Sequence, residues 1–279
     1  MHPKHIAIFG QYKTGTTALF YQIRDALSEP RRTLLEPKRY RPEPGDGDAN
    51  VLAKVILCLY QGPAAVEYKD FAGFPLKVLL LRDPRDRIVS GTLFIIQQTP
   101  AIHNNPQRLE RALELLRRKE ADPRSIPMIE VIRGILRLAD GLSLAEVTEE
   151  LHEHHQWIYQ FAERLGGHLR LKYEDLVDGQ IDKLESYLDL SLGRNPQVDA
   201  ENDHVVRTRK HGDWKNWFLP ADVEHFRNII EDYLKHFDYP LDWQLNSNPV
   251  ILPEHSSGYV ERTVEKRRQA AAQREAASR

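Results

Sequence analysis

The chain has 279 residues, and 39 Lys and Arg stand against 41 Asp and Glu, for a net charge of −2 with its 12 histidines neutral. So balanced a charge names no partner, nucleic acid included. A hydrophobic share of 41% with 29% charged residues suits a soluble globular chain better than a disordered one, and the length suits one large or two small domains with a sizeable core.

The single cysteine, Cys58, lies inside the apolar run VILCLY. No intrachain disulfide can form, a buried thiol is expected, and the composition suits a reducing cytosol. No apolar stretch approaches the roughly 18–20 residues that span a bilayer. The segment MHPKHIAIFG runs straight into a strand-like pattern without a signal-type apolar region. The expectation is a soluble, cytoplasmic protein.

Residues 5–10, HIAIFG, read as a short strand that ends at Gly10, and QYKTGTTALFYQIRDAL continues as a Gly-containing loop and a helix. A second run, TLLE, stops at Pro37 before the loop RPEPGDGD. ANVLAKVILCLY is then apolar enough for a buried strand or a buried helix, and periodicity does not separate the two. LKVLLLR (76–82) is the clearest strand, and Asp83-Pro84 opens the helix after it. Residues 97–142 read as a helical insertion, with PQRLERALELLRRKE a charged, solvent-facing helix. Ser143 with Glu146 forms a capping box for the next helix, which Gly166-Gly167 closes. HLRLKYED alternates as a strand, KLESYLDL is a short helix, and PADVEHFRNIIEDYLKHF is a strongly amphipathic one. Strands alternating with helices predict an α/β fold with a central parallel sheet flanked by helices on both faces. One α/β domain over 1–245 is expected, followed by a charged tail over 246–279 with little to bury.

Three segments carry chemistry. The loop G-QYKT-G-TT joins strand to helix, so its amides and the helix N-terminus face an anion site. It has Walker A spacing, but Thr16 stands where the Walker lysine belongs and Lys13 lies within the loop. At the end of the third strand pattern, Arg82 precedes Ser90 by eight residues, a guanidinium and a hydroxyl suited to a second phosphate. Near the C-terminus, RTRKHGDWKNWF gathers Arg207, Arg209 and Lys210 before a Gly-Asp turn flanked by Trp214 and Trp217. The cluster HEHH (152–155) invites a metal reading through Glu149, His152 and His155, but no second Glu-x-x-His accompanies it, and it reads as a solvated helix face.

In this order the segments resemble the PAPS-dependent sulfotransferases, which move a sulfuryl group from 3′-phosphoadenosine 5′-phosphosulfate (PAPS) to a hydroxyl or amine. YKTGTT is similar to the family's 5′-phosphosulfate loop, RDPRDRIVS to its 3′-phosphate segment, LKYEDL to its strand-end signature and GDWKNWF to the motif after its late basic loop. The likeness spans roughly residues 5–240. It implies a P-loop-NTPase-like sulfotransferase fold. It also implies PAPS as donor and adenosine 3′,5′-bisphosphate (PAP) as product, with no metal. Donor-binding residues would be Lys13, Thr14, Gly15, Thr16, Thr17, Arg82, Ser90, Tyr173, Arg207, Arg209 and Lys210.

Two departures stand out. In the late loop, the family's Arg-Lys-Gly becomes Arg207, Thr208 and Arg209, and the tryptophan that often follows the two threonines is Ala18. A general base is needed to take the acceptor proton. The His that some members place two residues after a strand lysine is Ile56 here, after Lys54. Others use a strand-end Glu-Pro, which LLEP supplies as Glu36. The catalytic residues implied are therefore Glu36 as base, Lys13 and Lys54. Tyr173 is placed against adenine, whereas Glu174 and Asp175 read as structural. The expected acceptor is a small molecule, glycan or lipid. The competing readings are a P-loop kinase-like enzyme using ATP and magnesium, and a nucleotide-binding protein without catalysis.

Overall fold

The computed structural model describes residues 3–57, 66–139, 143–194, 198–199 and 207–277, so the reading of Cys58 falls outside the described residues. In chain order the elements are β1 (His5–Gln11), α1 (Thr16–Ala26), β2 (Arg31–Leu35), β3 (Asn50–Leu57), β4 (Leu76–Leu81), α2 (Pro84–Gln98), α3 (Pro100–His103), α4 (Pro106–Ala121), α5 (Met128–Leu138), α6 (Leu144–Leu165), β5 (Leu169–Lys172), α7 (Tyr173–Asp178), α8 (Asp182–Leu188), α9 (Trp214–Trp217), α10 (Pro220–His236) and α11 (Ser257–Ala277). They fall into two compact units, residues 1–83 with 154–203, and residues 84–153 with 204–279.

The first unit holds a five-stranded sheet in the order β2-β3-β1-β4-β5, every pair parallel, as the sequence pattern predicts. The ambiguous run is settled as a strand. All eight residues of β3 are buried, because a strand covered on both faces has no solvent side to alternate toward. On one face Ile6, Ile8, Leu52 and Leu80 pack against Leu19 and Ile23 of α1 and Leu184 and Leu188 of α8. On the other, Phe9 meets Phe71 at 6.4 Å and Phe161 of α6 at 5.4 Å. The chain leaves β1 toward β2 on one side and returns with β4 on the other, which makes the carboxyl end of β1 a topological switch point.

The second unit is helical. Its core joins Val89, Leu93 and Ile96 of α2 to Leu113 and Leu116 of α4, Val131 and Ile135 of α5, Trp214, Trp217, Phe226 and Ile230. The expectation that 106–120 is merely solvent-facing is corrected here. Leu109, Ala112, Leu113 and Leu116 recur at helical spacing and are buried, leaving only the opposite face charged. The 246–279 segment likewise buries more than expected, since Tyr259, Val260 and Val264 of α11 enter the same core. The capping box forms as predicted, with Ser143 N donating to Glu146 Oε2 at 2.7 Å and Glu146 N to Ser143 Oγ at 3.2 Å. Gly166 and Gly167 close α6 with φ of 56° and 51°.

Asp222 and Lys119, both fully buried, tie this core together. The Asp222 carboxylate accepts from Met128 N, Ile129 N and Leu219 N at 2.7–2.8 Å, and so caps α5 and α10 at once. Lys119 Nζ donates to the carbonyls of Pro123 and Ile126 at 2.6 and 2.5 Å. Burial pushes Lys119 down to about 8, against the opposing pull of Asp222 and Asp122. Between pH 8 and 10 the unfolded chain holds a proton that the folded chain has released. Unfolding free energy should therefore rise with pH across that window, by up to about 1.4 kcal/mol per unit. Urea titrations at pH 7.5 and pH 9.5 should show the rise in the wild type and its loss in Lys119→Met. An equal slope in both would assign it elsewhere.

Candidate functional site

In the first unit the site begins where β1 ends. Lys13 and Gly15 both take left-handed backbone, with φ of 66° and 88°, and turn the chain into α1 within five residues. A Cβ on Gly15 would lie 2.4 Å from the Tyr173 ring, so only glycine fits this close approach. Gly15 brings no capping side chain, and the first turn of α1 carries no acidic residue. The amides there, facing the positive end of the helix, are arranged for an anion. Thr14 is turned inward, its Oγ1 donating to Gln11 O at 2.7 Å.

Arg82, at the end of β4, is only 5% exposed. Its Nη1 donates to the Lys13 carbonyl at 2.8 Å and its guanidinium stacks 4.4 Å from the Tyr173 ring. Sequence reasoning gave these residues phosphate and adenine contacts. The structure places them first as supports of the Lys13 loop, while Arg82 Nε is buried and has no partner among the described residues. Glu174 accepts from Asp83 N at 3.0 Å, as a structural role predicts, and burial pushes its carboxyl up.

Glu36 follows β2 with φ 57°, its N–H donating to Lys54 O at 2.9 Å. A glutamate held in left-handed backbone costs about 1 kcal/mol or more, a strain typical of functional positions. Its carboxylate pairs with Lys54 Nζ at 2.7 Å rather than with Lys38 or Arg39, its sequence neighbours. Lys54 is 3% exposed, and its Nζ also donates to Thr17 Oγ1 at 2.9 Å. A half-exposed carboxylate is thereby joined through one buried ammonium to the first turn of α1. The loop that follows is anchored by Asp46, which accepts from Arg32 at 2.8 Å and from Tyr40 and Glu43 N at 2.9 Å.

The remaining predicted residues belong to the second unit. Ser90 is buried within α2. Arg207 is 4% exposed at its side chain, and its Nη1 donates to Asp213 Oδ2 at 2.7 Å and to His255 O at 3.2 Å. Its Nη2 is buried without a partner among the described residues. Arg209, with φ 50°, and Lys210 are exposed. Trp214 and Trp217 are core residues, as expected of packing rather than ligand roles.

Sequence reasoning missed Asp86. It is fully buried, and accepts from Gly212 N at 2.5 Å and Trp214 N at 2.9 Å, fixing the Gly-Asp-Trp turn to α2. Arg85 beside it stacks 4.2 Å from Trp214 and donates to Pro240 O. The signal was the second acid of RDPRD, but its partners lie more than 120 residues away. Asp86→Ala leaves the buried Trp214 amide and the part-buried Gly212 amide unsatisfied and should cost about 3 kcal/mol. Urea unfolding measures this, and a change below about 0.5 kcal/mol, the range of ordinary surface substitutions, would contradict the assignment. The HEHH reading is corrected in part, since His155 is 1% exposed and faces the interior, while His152 is exposed. Among the described residues no group of three or more His, Cys, Asp or Glu side chains is placed to hold a metal ion. No described helix is long and apolar enough to cross a membrane.

No protein-family model and no curated protein matches the chain. Among solved structures it is similar to a mouse sulfotransferase, SULT7A1, whose crystal structure is a complex with PAP. The identity is 12%, the TM-score 0.47, and the match covers 83% of this chain and 85% of that one.

Proposed function

We propose that this chain is a cytoplasmic PAPS-dependent sulfotransferase acting on a hydroxyl or amine of a small-molecule, glycan or lipid acceptor. The observation that carries the reading is the Glu36–Lys54–Thr17 chain, which ties an accessible carboxylate to the helix terminus behind the Lys13 loop. The ordered motifs YKTGTT, RDPRDRIVS, LKYEDL and GDWKNWF support the donor. So do two buried guanidinium donors without partners among the described residues, Arg82 Nε and Arg207 Nη2, since an unsatisfied buried donor is stabilised by an anionic ligand.

When bound, the donor supplies a sulfuryl group on an activated phosphate. Lys13 and the amides of Gly15, Thr16 and Thr17 bind the phosphosulfate, with Lys13 neutralising charge that develops on the departing bridging oxygen. The sequence resemblance assigns Arg82 of the first unit, and Ser90, Arg207, Arg209 and Lys210 of the second, to the 3′-phosphate. Glu36 takes the acceptor proton as the new oxygen–sulfur bond forms and the sulfur–oxygen bond to phosphate breaks, and Lys54 holds the carboxylate in place. PAP is the leaving product.

The test incubates the protein with sulfur-labelled PAPS and fractionated small-molecule, glycan and lipid pools in a chelator. Label passing to an acceptor, with PAP formed in equal amount, is the expected result. Phosphorylation from ATP and magnesium, with no consumption of PAPS, would replace the reading with the kinase alternative.

A further inference from the structure

The C-terminal segment beyond residue 245 lies outside the motifs that suggest a donor site, yet it reaches one of the residues assigned to that site. His255 ends a tight 3-10 turn, Pro253–His255, and its carbonyl is the second acceptor of Arg207 Nη1 at 3.2 Å. The turn is clamped at two points. Within it, Glu254 O accepts from Arg262 Nη2 at 2.7 Å. Behind it, the Glu120 carboxylate from the end of α4 accepts from Ser257 N at 2.7 Å and Ser257 Oγ at 3.1 Å.

Glu120 thus acts as the N-terminal cap of α11, supplied from a distant helix. It combines two charge-assisted hydrogen bonds with a carboxylate at the positive end of a helix 21 residues long. Ser256, between the turn and the cap, is fully buried, so the carbonyl of His255 has little freedom to move independently. Tyr259 and Val260, the first turn of α11, are buried in the core of the same unit, and the Tyr259 hydroxyl accepts from Gln97 of α2 at 3.3 Å.

Taking the proposed function as its basis, we infer that Glu120 is a positioning residue for the donor's 3′-phosphate. It caps α11, and so holds the His255 carbonyl that, with Asp213, aims the Arg207 guanidinium. Two guanidinium hydrogen bonds from one nitrogen fix the plane of the fork, which leaves Nη2 as the donor available to a phosphate. Without the cap the turn is free to shift, and the aim of Arg207 is lost although Arg207 itself is unchanged.

The experiment compares Glu120→Gln with wild type by calorimetry, using PAP and adenosine 5′-monophosphate, which lacks the 3′-phosphate. Expected is a roughly ten-fold weaker PAP affinity with adenosine monophosphate affinity unchanged, the size of one misaligned charged hydrogen bond. Equal loss for both nucleotides, or no loss for either, overturns the positioning role. Ser257→Ala, which removes only the hydroxyl bond, gives a milder loss in the same direction and serves if Glu120→Gln does not fold. Wild type that binds neither nucleotide tells against the proposed function instead. The link from Glu120 to Arg207 is then decided by a crystal structure of the variant, in which an unmoved Arg207–His255 bond overturns it and a broken one upholds it.

Discussion

Glu36→Gln is expected to lower the turnover of sulfuryl transfer by about 10²–10⁴-fold, the range in which a positioned general base contributes. The amide is the same size as the carboxylate and can still accept from Lys54, so the strand end and the left-handed turn at Glu36 should persist. What is lost is the ability to take a proton from the acceptor. PAP affinity should stay within about three-fold, because the carboxylate makes no contact that binding the nucleotide requires. The pattern separates a base from a structural ion-pair partner. If Glu36 only supports Lys54, the amide would lower stability and leave turnover near wild type, as urea unfolding and steady-state kinetics on the same samples would show.

Gly15→Ala is the second large effect. Its Cβ would stand 2.4 and 2.6 Å from Tyr173 Cδ2 and Cε2, and that ring is held by the Arg82 guanidinium stacked 4.4 Å away. The added methyl has nowhere to go, and alanine at φ 88° is strained even in open space. Overpacking and backbone strain together should cost about 2–5 kcal/mol of unfolding free energy. PAP binding should be lost as well, since the displaced ring carries Arg82 away from the Lys13 carbonyl. Adding Tyr173→Ala should recover part of the stability by removing the clash, while the strain at φ 88° remains. Additive costs in the double variant would mean the two residues do not meet as described.

The sheet was legible because β1 and β4 hold apolar runs bounded by Gly and Pro while β5 alternates, and the loop because Gly10, Lys13, Gly15 and two threonines sit in one short stretch. Whether ANVLAKVIL was strand or helix was not legible, since burial on both faces erases the period that separates them. Lys54 shows the same limit. A lysine in an apolar run reads equally as one that snorkels to solvent, and only the pairing of β3 beside β2 and beneath α1 brings it to Glu36 and Thr17. Long-range partners were hidden altogether. Asp86 serves amides at Gly212 and Trp214, Asp222 caps a helix that starts at Met128, and Glu120 caps one that starts at Ser257. Each looks in sequence like one more surface acid. The 106–120 helix was misread for a related reason, because its charges outnumber the four apolar residues that anchor it.

The central claim is that the Lys13 loop and its Arg82 support form a site for a 3′-phosphorylated adenosine donor without metal. Calorimetric titration of PAP in a chelator, set beside ATP in magnesium, for wild type and Arg82→Ala, tests it most directly. The account predicts metal-independent PAP binding that weakens about ten-fold or more in the variant, as removal of a charged partner implies. Tighter binding of magnesium-ATP, with PAP bound equally by wild type and Arg82→Ala, would contradict it.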